Sequence, residues 1–370
     1  MKILVINWQD IKNPFGGGAE VHMHEIFSRL AQRGHEVALI ASQFNGASPF
    51  ELIDGIKVYR QGSRNLFNYS VKGMYERLRR ETKFDVVVDD INKIPFFTPA
   101  FVREQLAAIV HHFFGKTIYK ETNPLFASYV FLTESLVAMV YKKIPFVAVS
   151  ESTRKELIEK GIPESRIEVV PNAVDSRLYV TSSLSSDRQI IGYLGRIKRY
   201  KSVDHLISAF AKITNNFSNA ELLIVGDGDN IDELKGLTHK LGIESRVKFT
   251  GKVTEDEKVK LLQQMTFLVN PSAKEGWGLT VIESNACGKT VIAADVPGLR
   301  DSVLDNQTGL LYEYGNIDSL AAKMKLLLSD EVLRQRFERE AIRWASNFTW
   351  ENSANKMERF LEKVASGYPA

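Results

Sequence analysis

Along this chain, short runs of consecutive apolar residues alternate with longer stretches in which apolar positions recur every three or four residues. The first run, residues 3–6, leads into a glycine-rich turn and an amphipathic stretch over residues 20–33, which Gly34 ends. Glycine suits that place because it adopts the left-handed conformation that closes many helices. Further apolar runs stand at 37–41, 86–88, 108–110 and 147–149, then at 190–194, 222–225, 247–249, 267–269 and 291–293. Apart from Val247-Lys248-Phe249, none of them alternates apolar with polar. Strands apolar on both faces are covered on both faces, so the pattern predicts parallel sheets with helices on either side.

The rhythm breaks once. Between residues 171 and 188 the composition shifts, and Thr181-Ser182-Ser183-Leu184-Ser185-Ser186-Asp187 has the small polar character of a linker. A chain of 370 residues also exceeds the size at which one core usually stops growing. Together these features predict an α/β fold of two Rossmann-like, doubly wound domains, residues 1–175 and 176–349, facing each other across a cleft. Ligands of such sheets bind at the carboxyl ends of the strands.

Residues 124–141 stand apart as the longest strongly apolar stretch. Glu134 near its middle argues against a membrane span, since a carboxylate at that depth costs several kcal/mol. The stretch reads as a core or subunit-packing helix, or as one lying against a membrane surface with Lys142 and Lys143 at its end. Arg77, Arg79, Arg80 and Lys83 add nearby basic charge.

Overall charge narrows the partners. With 48 basic and 45 acidic side chains the net charge is +3, without the concentrated basic excess of a nucleic-acid binder. The one cysteine, Cys287, excludes an intrachain disulfide and fits a reducing cytoplasm. Asn7, Gln9, Asp10 and Lys12 end the first apolar run too early for a signal peptide.

Four groups of residues carry candidate chemistry. Gly16, Gly17 and Gly18, before Ala19-Glu20, allow close backbone approach to a ligand at a helix start, where free amides attract anions. They lack the Gly-x-Gly-x-x-Gly and P-loop spacings, so a phosphate loop and a flexible turn stand equal. Gly195-Arg196, with Lys201 five residues on, offers two cations for a diphosphate, or a solvated charge cluster. Glu275-Gly276-Trp277-Gly278-Leu279-Thr280-Val281-Ile282-Glu283 is the most informative. Two glycines expose amides ahead of a helix predicted over 279–286, and two carboxylates eight residues apart can accept hydrogen bonds from sugar or ribose hydroxyls. The alternative is a capped surface helix with two ordinary acidic residues. His111-His112 ends a strand at the sheet's carboxyl edge, with rings expected to point apart.

His22 and His24, two apart on a helix, also face apart and read as structural. Asp227-Gly228-Asp229 resembles a metal-binding pair, but a turn with Asp229 capping the next helix is the better reading. No metal site is predicted.

In this order, these pieces resemble the retaining glycosyltransferases of GT-B fold called group 1 or family 4. The resemblance extends through Gly34-His35-Glu36-Val37, Val147-Ala148-Val149-Ser150-Glu151-Ser152, Val169-Val170-Pro171-Asn172-Ala173-Val174-Asp175, Val225-Gly226-Asp227-Gly228 and Phe249-Thr250-Gly251, and covers essentially the whole chain. It implies a nucleotide-diphosphosugar donor, a hydroxyl acceptor (a glycan or a lipid-linked glycan) and no metal or other cofactor. Arg196 and Lys201 would hold the diphosphate, Glu283 the ribose, and Glu275 the transferred sugar, with amides from Gly276, Trp277, Gly278 and Leu279. Gly16, Gly17 and Gly18 would approach the phosphates or acceptor, and His111 would contact the sugar. Gly226, Asp227, Gly251 and Val253 would line the base pocket. Phe348-Thr349-Trp350 resembles the family's crossover, so a last helix over about 350–370 would return to the first domain.

Two positions depart from the family's pattern: His112, often acidic in relatives, and Thr290, often proline. The resemblance leaves as rivals a GT-B epimerase or phosphorylase and a non-catalytic nucleotide-sugar-binding protein. An NAD-dependent oxidoreductase is disfavoured by the absent dinucleotide fingerprint.

Overall fold

A computed structural model describes residues 1–63, 66–92, 94–120, 122–182 and 188–368. The chain divides into two compact units. The first comprises Met1–Ile118, Asn123–Ala173 and the chain from Trp350 on; the second is built on Val174–Thr349. The serine-rich stretch falls, over residues 183–187, outside the described residues.

The first unit holds one eight-stranded sheet: β1 (Lys2–Ile6), β2 (Glu36–Ala41), β3 (Phe50–Ile53), β4 (Ile56–Arg60), β5 (Val86–Ile91), β6 (Gln105–Val110), β7 (Phe146–Ala148) and β8 (Ile167–Val169). Their order is β3-β4-β2-β1-β5-β6-β7-β8. The second unit's sheet contains β9 (Gln189–Leu194), β10 (Ala220–Val225), β11 (Val247–Phe249), β12 (Phe267–Asn270), β13 (Val291–Ala294) and β14 (Gly309–Tyr312), in the order β11-β10-β9-β12-β13-β14. In each sheet the winding reverses at the first strand of the unit, β1 or β9. That is the topological switch point at which doubly wound folds hold their ligands.

The continuous apolar runs are the strands, and helices cover them. Ile3, Leu4, Val5 and Ile6 are fully buried, with Ile3 level with Val37 on one side and Val86 on the other. Among the described residues, every strand pair is parallel except one. β3 pairs antiparallel with β4 through a tight turn at Asp54 and Gly55, both at positive φ. This hairpin corrects the wholly parallel expectation. β3 lies at the sheet's edge and is largely exposed, so it lacks an apolar run; β4, β8 and β14 were likewise not among the runs read from the sequence.

The helix after β1 spans Gly18–Gln32, starting two residues earlier than the apolar periodicity indicated because Gly18 already follows the helical path. The last helix, Trp350–Ala365, packs against it within the first unit. Arg33 pairs with Glu351 and Glu358, His35 Nε2 lies 2.8 Å from Glu358, and Ser353 donates to the Pro171 carbonyl at 2.8 Å.

The apolar stretch after residue 123 forms the helix Pro124–Val140, whose N-cap Asn123 side chain accepts from the Phe126 amide. Ala127, Val130, Thr133, Glu134 and Val137 face inward, whereas Leu125, Leu132 and Met139 are 87%, 60% and 71% exposed. Glu134 is buried and accepts from the Phe114 and Gly115 amides at 2.7 and 2.9 Å, which explains a carboxylate within an apolar helix. The helix thus packs one face into the core and leaves the other exposed. Among the described residues, no helix is long and apolar enough to cross a membrane.

Candidate functional site

In the second unit, the candidate residues sit where strands end. β9 runs into Gly195 and Arg196, and β10 into Gly226, whose amide donates to the Gly251 carbonyl at 3.1 Å. A Cβ on Gly226 would stand 2.0 Å from the Gly195 carbonyl oxygen, so a side chain there would prevent these two turns from packing together. The Tyr193 hydroxyl donates to the Arg196 carbonyl at 2.9 Å and steadies the same turn. Arg196 itself is exposed.

Lys201 and Glu275 form a close pair, Nζ to Oε1 at 2.6 Å. Ser272 Oγ, fully buried, donates to the same oxygen at 2.8 Å. Burial opposes the Lys201 charge, but Glu275 outweighs it and holds the ammonium above its ordinary range. Loop contacts keep the pair in place, since the Ala273 amide donates to the Tyr200 carbonyl at 2.8 Å.

Glu275 lies before the helix Leu279–Ala286 and Glu283 within it. Gly278 opens that helix at φ 86°, a conformation only glycine adopts easily, and its open face is closed by Leu299. Trp277 is turned into the core, its ring 4.9 Å from Phe348, so its side chain belongs to packing. Val253 is half-buried against the same core.

Glu283 is buried. Its Oε1 accepts from the Tyr179 hydroxyl at 3.0 Å and from Lys258 Nζ at 2.9 Å, while Oε2 is buried without a hydrogen-bond partner. Tyr179 also bonds Glu255, and Lys258 reaches Glu255 at 2.7 Å.

Asp229 does not cap the following helix, as the sequence predicted. That helix, Ile231–Lys240, starts from Asn230 with no side-chain cap, and Asp229 pairs instead with Lys198. Asp227 Oδ1 accepts from the Gly228 amide at 2.8 Å. No group of three or more metal-ligating side chains occurs among the described residues.

The first unit gathers a second cluster around the carboxyl ends of β1, β5 and β6. His111 Nε2 lies 2.8 Å from Asp90 Oδ1, and Thr153 Oγ1 donates to the His111 carbonyl at 3.1 Å. His22, across the cluster, stacks edge-on to His111 with ring centres 5.3 Å apart. Burial, reinforced by His111, pushes His22 down to about 3, so it is neutral. The ring of His112 packs on Phe114, 4.7 Å away, and His24 faces Asp54, so each adjacent or alternating histidine pair points apart as expected.

In the glycine turn, the Gly17 amide donates to Glu20 at 2.6 Å, and Asn92 Nδ2 donates to the other oxygen of Glu20 at 2.7 Å. Burial holds the Glu20 carboxyl above its ordinary value. A Cβ on Gly16 would stand 3.1 Å from the Asn13 carbonyl, and none of its neighbours would crowd one on Gly18.

Sequence reasoning passed over Asp90, Ser272, Tyr179 and Lys258. Only Asp90 left a signal: two carboxylates, Asp89-Asp90, stand directly after the apolar run 86–88, at the sheet edge where His111 also lies.

Comparison with known proteins agrees with this arrangement. The first half, residues 16–178, matches the model of Glycosyltransferase Family 4, and residues 180–344 match Glycosyl transferases group 1. N-acetyl-alpha-D-glucosaminyl L-malate synthase of Bacillus anthracis is 29% identical over 349 residues, covering 87% of each chain. Sucrose-phosphate synthase from Thermosynechococcus elongatus superposes with a TM-score of 0.86 at 18% identity, covering 99% of both chains. Anabaena HepE, solved in complex with UDP-glucose, superposes with a TM-score of 0.76 at 20% identity over 99% of this chain and 100% of its own. The two family models leave little of the chain unmatched, and the sheet order they accompany is that of paired Rossmann-like units: this chain belongs to the group 1, family 4 glycosyltransferases of GT-B fold.

Proposed function

We propose that the protein transfers a hexose-type sugar from a nucleotide-diphosphosugar to a hydroxyl acceptor with retention of anomeric configuration, and that it needs no divalent metal. The observation that carries this reading is the Lys201–Glu275 pair, set three residues ahead of the αL glycine that opens the helix Leu279–Ala286. An ammonium, the Arg196 guanidinium and helix N-terminal amides together can neutralise a departing diphosphate. Glu275 is then released to accept hydrogen bonds from the sugar's hydroxyls, while Glu283 takes the ribose.

In the reaction, the bond from the anomeric carbon to the phosphate oxygen breaks, and its electron pair leaves with the nucleoside diphosphate. The acceptor oxygen forms its bond on the face just vacated. Its proton passes to an oxygen of the leaving phosphate. His111, held by Asp90, contacts the sugar from the first unit, and Gly16, Gly17 and Gly18 approach the phosphates or the acceptor. Gly226, Asp227, Gly251 and Val253 flank the base.

The acceptor is a glycan or lipid-linked glycan brought to the protein at a membrane surface. The uncharged outer face of the helix Pro124–Val140, with exposed Lys142 and Lys143 beyond it, supports this. The UDP-glucose in the Anabaena neighbour makes that donor the first to test.

A thermal-shift screen against UDP-, GDP- and ADP-sugars, with and without EDTA, tests the reading. It is supported by stabilisation with one donor that EDTA leaves unchanged. Silence across all three classes favours another GT-B activity, and binding abolished by EDTA defeats the metal-free mechanism.

A further inference from the structure

Glu283 is held by one oxygen only. Oε1 receives the Tyr179 hydroxyl and the Lys258 ammonium; Oε2 is equally buried and receives nothing. Burying an unpaired carboxylate oxygen is unfavourable, and protein interiors rarely tolerate it without a ligand or a structural return.

The surroundings restrict what that ligand is. Tyr179 has one hydroxyl proton but stands within reach of both Glu255 and Glu283, so it serves one carboxylate at a time. Lys258 bridges the same two carboxylates at 2.7 and 2.9 Å. Two acids thus share one ammonium, which they hold above its ordinary range against the opposing effect of burial. The residual negative charge repels phosphate and welcomes a hydrogen-bond donor, for which a ribose hydroxyl is suited. The ammonium also lies 5.1 Å over the Tyr179 ring, which is itself buried, so neither support is free to swing away.

We propose that Tyr179 and Lys258 are positioning residues for Glu283: they fix Oε1 and leave Oε2 aimed at a ribose hydroxyl of the donor. This rests on the reading that Glu283 binds the ribose. Tyr179 precedes β9, near the start of the second unit, and no sequence motif marks it.

The test is a ligand cycle by calorimetry. UDP, GDP and ADP are titrated into the parent, and the tightest is compared with its 2′,3′-dideoxy counterpart in the parent, Tyr179→Phe and Glu283→Ala. Tyr179→Phe removes one oxygen and keeps the ring under Lys258. It weakens the ribonucleotide about tenfold and the dideoxy nucleotide not at all, with kcat at saturating donor unchanged. An equal loss on both ligands, or no loss on either, overturns the positioning role if Glu283→Ala still weakens the ribonucleotide selectively. If Glu283→Ala leaves ribonucleotide binding intact, or if no nucleotide binds the parent, the ribose reading fails and the proposal with it. Lys258→Met, which keeps the bulk of the stem but not the charge, must show the same selectivity for the ribonucleotide.

Discussion

Lys201 Nζ lies 2.6 Å from Glu275 Oε1, and both side chains are largely buried, at 14% and 15% exposure. Before any donor arrives, the cation assigned to the diphosphate is neutralised by the carboxylate assigned to the sugar. The pair therefore stores both groups in a low-dielectric place without leaving either charge alone. Removing one partner strands the other.

Lys201→Ala should consequently lose stability as well as activity. Breaking a buried pair costs about 3 kcal/mol, and loss of a cation that stabilises the leaving group lowers turnover about 10²-fold or more. Urea unfolding and steady-state rates of the same preparation check this. Parent-like stability would show that Ser272 and solvent suffice for Glu275.

His111 and Asp90 should act on turnover and not on donor affinity. His111→Ala is expected to lower kcat about 10²-fold while leaving the donor dissociation constant unchanged. Asp90→Asn keeps the shape but loses the anion opposite Nε2, so a smaller fall of about tenfold is expected. Turnover at the parent's rate in His111→Ala would remove the histidine from the mechanism.

Asp89, next in the chain, behaves differently because it faces the other side of β5. It accepts from Thr98 Oγ1 at 2.6 Å and from the Tyr141 hydroxyl, and burial pushes its carboxyl up to about 6. A carboxyl raised in the folded state favours folding when protonated. Its contribution is full below pH 3.8, the unfolded value, and is lost as pH rises through about 6. Relative to the parent, Asp89→Asn should gain in unfolding free energy as pH rises from 5 to 8. Parallel stability curves for the two proteins would contradict the shift.

The outer face of the helix Pro124–Val140 should carry membrane affinity. Leu125→Glu with Met139→Glu puts two charges at the two most exposed apolar side chains of that helix. In flotation at low salt, the parent should rise with vesicles containing anionic lipid and the double variant should not. A parent that ignores such vesicles would leave the lipid-linked acceptor without support.

How much of this was readable in the sequence depended on the physical signal each part leaves. Strands buried on both faces announce themselves as apolar runs, so nine could be located without the structure; the half-buried β11 was also located, β8 and β14 were not, and the helix Leu279–Ala286 matched its predicted limits. β3 and β4 carry no such run, yet Asp54-Gly55 is a recognisable hairpin turn, and only the edge strand's polarity hid it. Asp229 failed as a cap because Lys198, 31 residues earlier, competes for it. The supports of Glu283 are a tertiary matter: Tyr179 is 104 residues from Glu283 and Lys258 is 25, and no local pattern couples them.

The most direct measurement of the central claim is proton NMR of the first transfer product, formed in the presence of EDTA from the donor that binds best. The account predicts that the anomeric proton shows the same configuration as in the donor. An inverted product, or transfer that resumes only when a divalent metal is restored, would contradict it.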